Sequence, residues 1–128
     1  MKTYHGSCDC GAVKFEVTTK ITKISKCNCH ICTKKGIIHH LVEQNQFNLI
    51  SGKDDLSLYQ FGTMTAKHFF CKHCGIHSFY KPRTHPEKIS VNVLCLDDFD
   101  LKKEAQKLLH SMDEIGKEHL NLCSFNYF

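Results

Sequence analysis

The spacing of the cysteines constrains this chain more than any other feature of its sequence. Seven of the nine cysteines fall in three tight groups, and two stand alone. The groups are Cys8 with Cys10, then Cys27 with Cys29 and Cys32, and then Cys71 with Cys74. Disulfide frameworks spread their cysteines, because thiols two residues apart cannot bridge without strain. Clustered thiols are typical of a site for a soft metal ion, and zinc is the first expectation.

Length and composition predict one zinc-binding domain that spans residues 1–128. The chain has 128 residues, enough for one core, and its 41% hydrophobic and 23% charged residues are ordinary for a soluble protein. No apolar run is long enough to cross a bilayer, and the residues after Met1 lack the apolar stretch of a secretion signal. We therefore expect a cytoplasmic protein with reduced thiols and no membrane partner.

The charge balance does not indicate a nucleic-acid partner. The formal net charge is +4, and the 17 Lys and Arg residues include no run of five. Metal-bound thiolates would make the balance less positive. This pattern favours the binding of small anions over the binding of nucleic acid.

Alternating apolar residues predict a mainly β fold. Val13, Phe15 and Val17 share one face of a strand over 12–18. The next turn is expected at 33–36. Further β-rich runs cover residues 37–42, 47–51, 56–61, 64–70, 76–80 and 89–96, with a hairpin turn at 62–63.

One helix is predicted, at the C-terminal end of the chain. Asp100 is the expected N-cap, and Gly116 lies near the expected end. Apolar residues between them recur at helical spacing, at Leu101, Ala105, Leu108, Leu109, Met112 and Ile115. The residue patterns therefore predict a mainly β fold with antiparallel hairpin strands and one C-terminal helix.

The first and last cysteine groups are predicted to share one structural zinc ion. A C-x-C or C-x2-C pair supplies half of a tetrahedral site, so Cys8 and Cys10 complement Cys71 and Cys74. A small β domain with a thin core gains stability from such a site. The alternative is two independent thiol pairs that are buried or redox-active.

The middle group, Cys27, Cys29 and Cys32, supplies three ligands, one fewer than a closed zinc site requires. The site is either closed by a histidine, such as His30, His39 or His40, or left open for chemistry. Three thiolates overcompensate a dication, so an open site of this kind would acidify water poorly. It would accept a further thiolate readily, and this predicts sulfur chemistry over hydrolysis.

Four segments recur in an order specific enough to indicate a family. They are GSCDCGAV at 6–13, CNCHIC at 27–32, HFFCKHCG at 68–75, and Pro82-Arg83 followed by VNVLCLD at 91–97. Over about residues 4–98 the chain resembles the glutathione-dependent formaldehyde-activating enzyme family, which also includes centromere protein V. Residues 99–128, the predicted helix and tail, depart from that pattern.

The resemblance implies a β-tent of small coiled sheets with two zinc ions per chain. It assigns Cys8, Cys10, Cys71 and Cys74 to the structural ion, and it gives Cys27, Cys29 and Cys32 to the second, catalytic ion. The namesake activity joins glutathione and formaldehyde into S-hydroxymethylglutathione, and the broader activity of the family is that of a carbon–sulfur lyase.

Several other residues are candidates for parts of the site. Lys34, Lys35 and Arg83 could hold a carboxylate of an anionic thiol, and Arg could do so with two hydrogen bonds. The alternative for each is a solvated surface charge. Cys95 is expected to be a buried thiol, and His73 and His77 are expected to be bystanders of the C-x2-C turn.

Two functions follow from the sequence. The first is a zinc-dependent lyase or synthase acting on a thiol–aldehyde adduct, with a small thiol and an aldehyde, such as glutathione and formaldehyde, as its substrates. The second is a non-enzymatic zinc module that binds a protein or a nucleic acid. The aromatic residues do not alternate with a stripe of basic residues, which argues against nucleic-acid binding.

Overall fold

The computed structural model describes residues 1–27, 30–104 and 125–126, and these form a mainly β fold. The strands are β1 Lys2–Ser7, β2 Lys14–Thr19, β3 Lys26–Cys27, β4 His39–Glu43, β5 Phe47–Ser51, β6 Leu56–Tyr59, β7 Lys67–Cys71, β8 Phe79–Lys81, β9 Lys88–Asn92 and β10 Phe125–Asn126. Helix α1 covers His30–Lys35. Short 3-10 helices cover Gln44–Gln46, Lys53–Asp55 and Val93–Cys95.

The strands form small antiparallel sheets, as predicted. One sheet has three strands in the order β1-β2-β5, and another has five in the order β4-β9-β8-β7-β6. Strands β3 and β10 form a two-stranded pair. Every pairing between the described strands is antiparallel.

The core joins the two larger sheets through aromatic rings. Phe15 of β2 is 1% exposed, and its ring stacks on Phe47 of β5 at a centroid distance of 5.4 Å. Phe79 of β8 packs against both, at 6.1 Å from Phe15 and 4.7 Å from Phe47. Val13 and Val17, on the same face as Phe15, are also buried, which confirms the predicted alternation of β2.

Two local predictions from the sequence were wrong. The turn expected at 33–36 is instead the end of α1, which stops where the Gly36 N–H donates to the carbonyls of Cys32 and Thr33. The strand expected at 89–96 ends at Asn92, because Asn92 Oδ1 accepts a hydrogen bond from Leu94 N (3.2 Å) and caps a 3-10 helix.

The C-terminal part is described only in pieces. Asp100 is an N-cap as predicted, since its Oδ1 accepts a hydrogen bond from Lys102 N at 3.0 Å. Residues 101–104 are helical, and the rest of the predicted helix lies outside the described residues. Within the described part of the chain, no helix combines the length and the apolar character that crossing a bilayer would need.

We expect Gly52→Ala to destabilise the fold more than Gly62→Ala. Both glycines have positive φ, +92° and +60°, where an alanine is strained by about 1–2 kcal/mol. At Gly52 a Cβ would also lie 2.4 Å from the Ala12 carbonyl oxygen, whereas at Gly62 nothing lies within 4 Å. Urea unfolding should show the difference between the two free energies, and equal losses would contradict this packing.

Candidate metal centre and adjoining cavities

Four cysteine sulfurs converge at one end of the five-stranded sheet. The Sγ atoms of Cys8, Cys10, Cys71 and Cys74 all lie within 4.8 Å of one another. Cys10 Sγ lies 3.7 Å from both Cys8 Sγ and Cys71 Sγ. These distances are too long for disulfides, and all four are free thiols. The sequence prediction that these two pairs meet is therefore confirmed.

Tight turns aim the four sulfurs at one point. Cys8 directly follows β1, and its Sγ accepts a hydrogen bond from the Val13 N–H at 3.3 Å. Cys71 ends β7, and its carbonyl accepts a hydrogen bond from the Gly75 N–H at 2.8 Å, which closes the C-x2-C turn. Cys8 and Cys71 are buried at 3% and 1% exposure, so the cluster is anchored in the core.

The pKa values of two thiols in the cluster are shifted in opposite directions. For Cys74, burial raises the pKa, but hydrogen bonds from the backbone N–H groups of Cys10 and Ile76 lower it to about 6. For Cys10, a hydrogen bond from the Ala12 N–H lowers the pKa, while burial and the nearby sulfurs raise it to about 12. Sulfurs this close cannot all ionise without a compensating positive charge.

The geometry fits zinc. A tetrahedral ion with bonds of about 2.3 Å to sulfur places its ligands about 3.8 Å apart. The two 3.7 Å contacts of Cys10 match that edge length. The four cysteines could therefore hold one metal ion, and a four-thiolate set with no open position is typical of a structural site.

The middle cysteine group is described only in part. Cys27 lies on β3, and Cys29 lies outside the described residues. Cys32 lies on α1 and is 2% exposed, with its Sγ 4.0 Å from the hydroxyl of Tyr80. Whether these three thiols share an ion therefore stays a prediction.

The three histidines considered as a fourth ligand have different surroundings. Both ring nitrogens of His40 are hydrogen-bonded, Nδ1 to the Lys23 carbonyl at 3.2 Å and Nε2 to the Thr19 hydroxyl at 2.9 Å. Burial lowers the pKa of His40, so it stays neutral. His39 Nδ1 bonds Ser90 Oγ at 2.9 Å. His30 is exposed and packs against Phe61. The contacts of His40 leave neither of its nitrogens for a metal ion.

A cavity of about 310 Å³ lies beside α1. We call it the aromatic cavity, and its lining includes His30, Ile31, Phe61, Ala66, His68 and Tyr80. Tyr80 connects it to the middle cysteine group, because the same side chain contacts Cys32. Among the described lining residues, Arg83 alone carries a permanent charge.

Stacked rings form the wall of the aromatic cavity. His68 lies between Phe61 and Tyr80, with centroid distances of 5.6 Å and 5.2 Å and interplanar angles of 13° and 12°. The Lys35 ammonium sits 4.1 Å above the Tyr80 ring and donates to His68 Nδ1 at 3.1 Å. Since Nδ1 accepts this hydrogen bond, the ring proton of neutral His68 is on Nε2.

The predicted substrate-binding residues lie in different places. Arg83 is exposed and lines the aromatic cavity, and Lys35 contacts two of its rings. Lys34 is exposed on α1 and lines none of the described cavities. Sequence reasoning missed His68 and Tyr80, although a correct register would have shown them directly opposite each other on β7 and β8.

A second cavity, of about 530 Å³, is lined in part by Ile24 and Ser25, the two residues before β3. We call it the basic cavity. Lys20, Lys23 and Lys88 line it, and its described lining contains no acidic side chain. Lys88 is partly neutralised by Glu43, whose Oε1 lies 3.3 Å from the lysine Nζ.

The other singled-out residues near the C-x2-C turn have structural contacts. His73 Nε2 pairs with Asp55 Oδ1 at 2.8 Å on the surface. Burial, and then the charge of Lys35, lower the pKa of His77 to about 4, so it is neutral at pH 7. Cys95 is partly buried, and burial raises its pKa, so it remains a protonated thiol.

Comparison with known proteins identifies the family. The model of the glutathione-dependent formaldehyde-activating enzyme family matches residues 3–112. This chain belongs to that family. It is also similar to a crystal structure of a Rhodobacter sphaeroides protein solved as a structural genomics target, at 37% identity and a TM-score of 0.73, over 77% of this chain and 93% of the other.

Membership of the formaldehyde-activating enzyme family supports a function related to glutathione and formaldehyde. It also agrees with the four-cysteine cluster that could hold a metal ion. The family match extends into the predicted C-terminal helix, beyond the residues that carry the recognisable motifs.

We expect Cys10→Ser to remove the structural metal ion from this family member. Cys10 is exposed, so the substitution changes a ligand and leaves the core packing intact. Elemental analysis should show one zinc fewer per chain, and the midpoint of thermal unfolding should fall on the order of 10 °C. Cys95→Ser is the matched control, because it also removes one thiol and should keep both values. Equal zinc content in the two variants would contradict the assignment.

Proposed function

We propose that this protein is a zinc-dependent carbon–sulfur lyase or synthase that acts on a thiol–aldehyde adduct such as S-hydroxymethylglutathione. The observation that carries the proposal is the contact of Tyr80 with Cys32, which joins a ligand-sized cavity to the middle cysteine group. The family membership supports the same chemistry. We further propose two zinc ions per chain, one structural and one catalytic.

The reaction needs no oxidant or reductant. In the synthetic direction a carbon–sulfur bond forms between the thiol and the carbonyl carbon, and the thiol proton ends on the former carbonyl oxygen. In the lyase direction the same bond breaks and the hydroxyl proton returns to sulfur. A zinc ion held by Cys27, Cys29 and Cys32 would stabilise the substrate sulfur as a thiolate at neutral pH.

The described side chains provide hydrogen-bond donors for the oxygen of the adduct. Tyr80 is buried with its hydroxyl 4.0 Å from Cys32 Sγ, and His68 is one of the residues that line the aromatic cavity. The bond from Lys35 fixes the tautomer of His68 that carries its ring proton on Nε2. We propose that these donors stabilise negative charge on oxygen as the carbonyl carbon is attacked.

The basic side chains are proposed to bind the acidic groups of the thiol. Arg83 is exposed, so it can hold a carboxylate of the thiol with two parallel hydrogen bonds while that carboxylate stays in contact with water. Lys35 is proposed to act on the substrate through His68 and Tyr80. Lys34 remains a predicted contact on the exposed side of α1.

We expect Cys27→Ser, Cys29→Ser and Cys32→Ser each to lower activity on the order of 100-fold or more while the fold is kept. Turnover can be followed by the release or capture of formaldehyde from S-hydroxymethylglutathione, with zinc content and circular dichroism measured on the same samples. Each variant should retain one zinc per chain. The Cys95→Ser protein is again the control for the loss of a thiol.

Wild-type turnover in these variants would contradict the proposed role of the middle group. Two zinc ions that thiols do not displace, together with no turnover of any adduct, would instead favour a non-enzymatic zinc module. A labile second zinc that glutathione displaces supports the enzyme.

We expect Arg83→Gln to raise the KM for glutathione at least about tenfold, because a hydrogen-bonded charge pair contributes about 1.5–3 kcal/mol. The KM for uncharged 2-mercaptoethanol should not change. Lys53→Gln removes the same charge from an exposed position that lines none of the described cavities, and it is the matched control. If the Lys20→Gln, Lys23→Gln double variant raises the KM for glutathione and Arg83→Gln does not, the carboxylates bind in the basic cavity and the role of Arg83 is wrong.

A further inference from the structure

The aromatic cavity is much larger than formaldehyde, the carbon partner of the proposed adduct. Formaldehyde has one carbon and one oxygen atom, and it is little larger than a water molecule, which takes about 30 Å³ in the liquid. The cavity holds about 310 Å³, at the lower end of the range for drug-sized ligands, about 300–1,000 Å³. Most of the cavity would therefore be left for another group.

The lining indicates what that group is. Phe61, His68 and Tyr80 present a stack of nearly parallel rings, and Ile31 and Ala66 add aliphatic surface. The described lining offers one permanent charge, at Arg83. The peptide body of glutathione carries two carboxylates, an ammonium and two amide groups, which lose free energy when they are buried without partners. An apolar group loses nothing there and gains contact with the rings.

The cavity lies where the carbon side of an adduct would extend. Its wall reaches Cys32 through Tyr80, whose ring faces His68 and whose hydroxyl lies 4.0 Å from the cysteine sulfur. His30 and Ile31, which border the cavity, precede Cys32 on the same helix. A substituent on the reacting carbon could therefore enter the aromatic cavity while the sulfur stays near the middle cysteine group.

We propose that the carbon partner is an aldehyde with an aromatic or branched alkyl substituent, and that the aromatic cavity binds this substituent. This inference rests on the proposed function and specifies its substrate class. The bond changes are those of the formaldehyde adduct: the carbon–sulfur bond forms, and the thiol proton ends on the carbonyl oxygen. Only the group attached to the carbonyl carbon differs.

Competing substrates test the inference. Wild-type protein would be assayed with glutathione and three aldehydes, namely formaldehyde, acetaldehyde and phenylacetaldehyde. One methylene in an apolar pocket changes kcat/KM about 10–200-fold, so we expect at least about a tenfold preference for phenylacetaldehyde over formaldehyde. Equal or lower kcat/KM for phenylacetaldehyde overturns the inference.

Two variants test whether the aromatic cavity causes the preference for phenylacetaldehyde over formaldehyde. Phe61→Ala removes part of the wall at a residue that is 37% exposed, and Ala66→Phe fills the space. Both should lower kcat/KM for phenylacetaldehyde at least about tenfold and change it less than about twofold for formaldehyde. Leu58→Ala on β6 is the control, since this leucine is 47% exposed and lies outside the lining.

The outcomes separate the inference from the proposed function. Turnover of formaldehyde without a preference for the larger aldehyde, or a preference that neither cavity variant reduces, overturns the inference alone. No turnover with any aldehyde overturns both. A preference that Phe61→Ala and Ala66→Phe abolish, and that Leu58→Ala keeps, supports the inference.

Discussion

The convergence of four sulfurs within 4.8 Å is the interaction on which the rest of the structure depends. It joins the loop after β1 to the turn after β7, two parts of the chain about sixty residues apart. Sulfurs at this separation repel one another as thiolates, and a metal ion held by the four cysteines would compensate that repulsion. Cys8 follows β1, Cys71 ends β7, and both are buried. Bringing their sulfurs together therefore fixes the relative position of two strands that belong to different sheets.

Aromatic packing joins the same two sheets and also forms part of the candidate site. Phe15, Phe47 and Phe79 join the three-stranded and five-stranded sheets on one side of β8. Tyr80 follows Phe79 and points to the other side of the strand, because successive side chains alternate, and there it stacks on His68. One short strand therefore supports both the core and the wall of the aromatic cavity.

The sequence predicts the sulfur pairing and most strands, because both depend on spacing along the chain. The C-x-C pair and the C-x2-C pair each supply half of a tetrahedral site, which predicts that they meet. The alternation of Val13, Phe15 and Val17 predicts β2 directly from the sequence. Helix α1 is too short to show a helical period, and the 3-10 helix after Asn92 depends on one side-chain bond. The ring stack was not predictable, since it depends on the register between β7 and β8.

The proposed chemistry combines a thiolate-rich set with an apolar wall. Three thiolates around a dication would leave little positive charge to acidify water, which would disfavour hydrolysis and favour a sulfur substrate. Water also competes at the other partner, because an aldehyde in water forms a hydrate that no longer presents a carbonyl carbon. The buried rings of His68 and Tyr80, of which Tyr80 contacts Cys32, would exclude water there and favour the carbonyl form. Both proposed features would select against water, one at sulfur and one at carbon, and together they would favour the formation or cleavage of a carbon–sulfur bond.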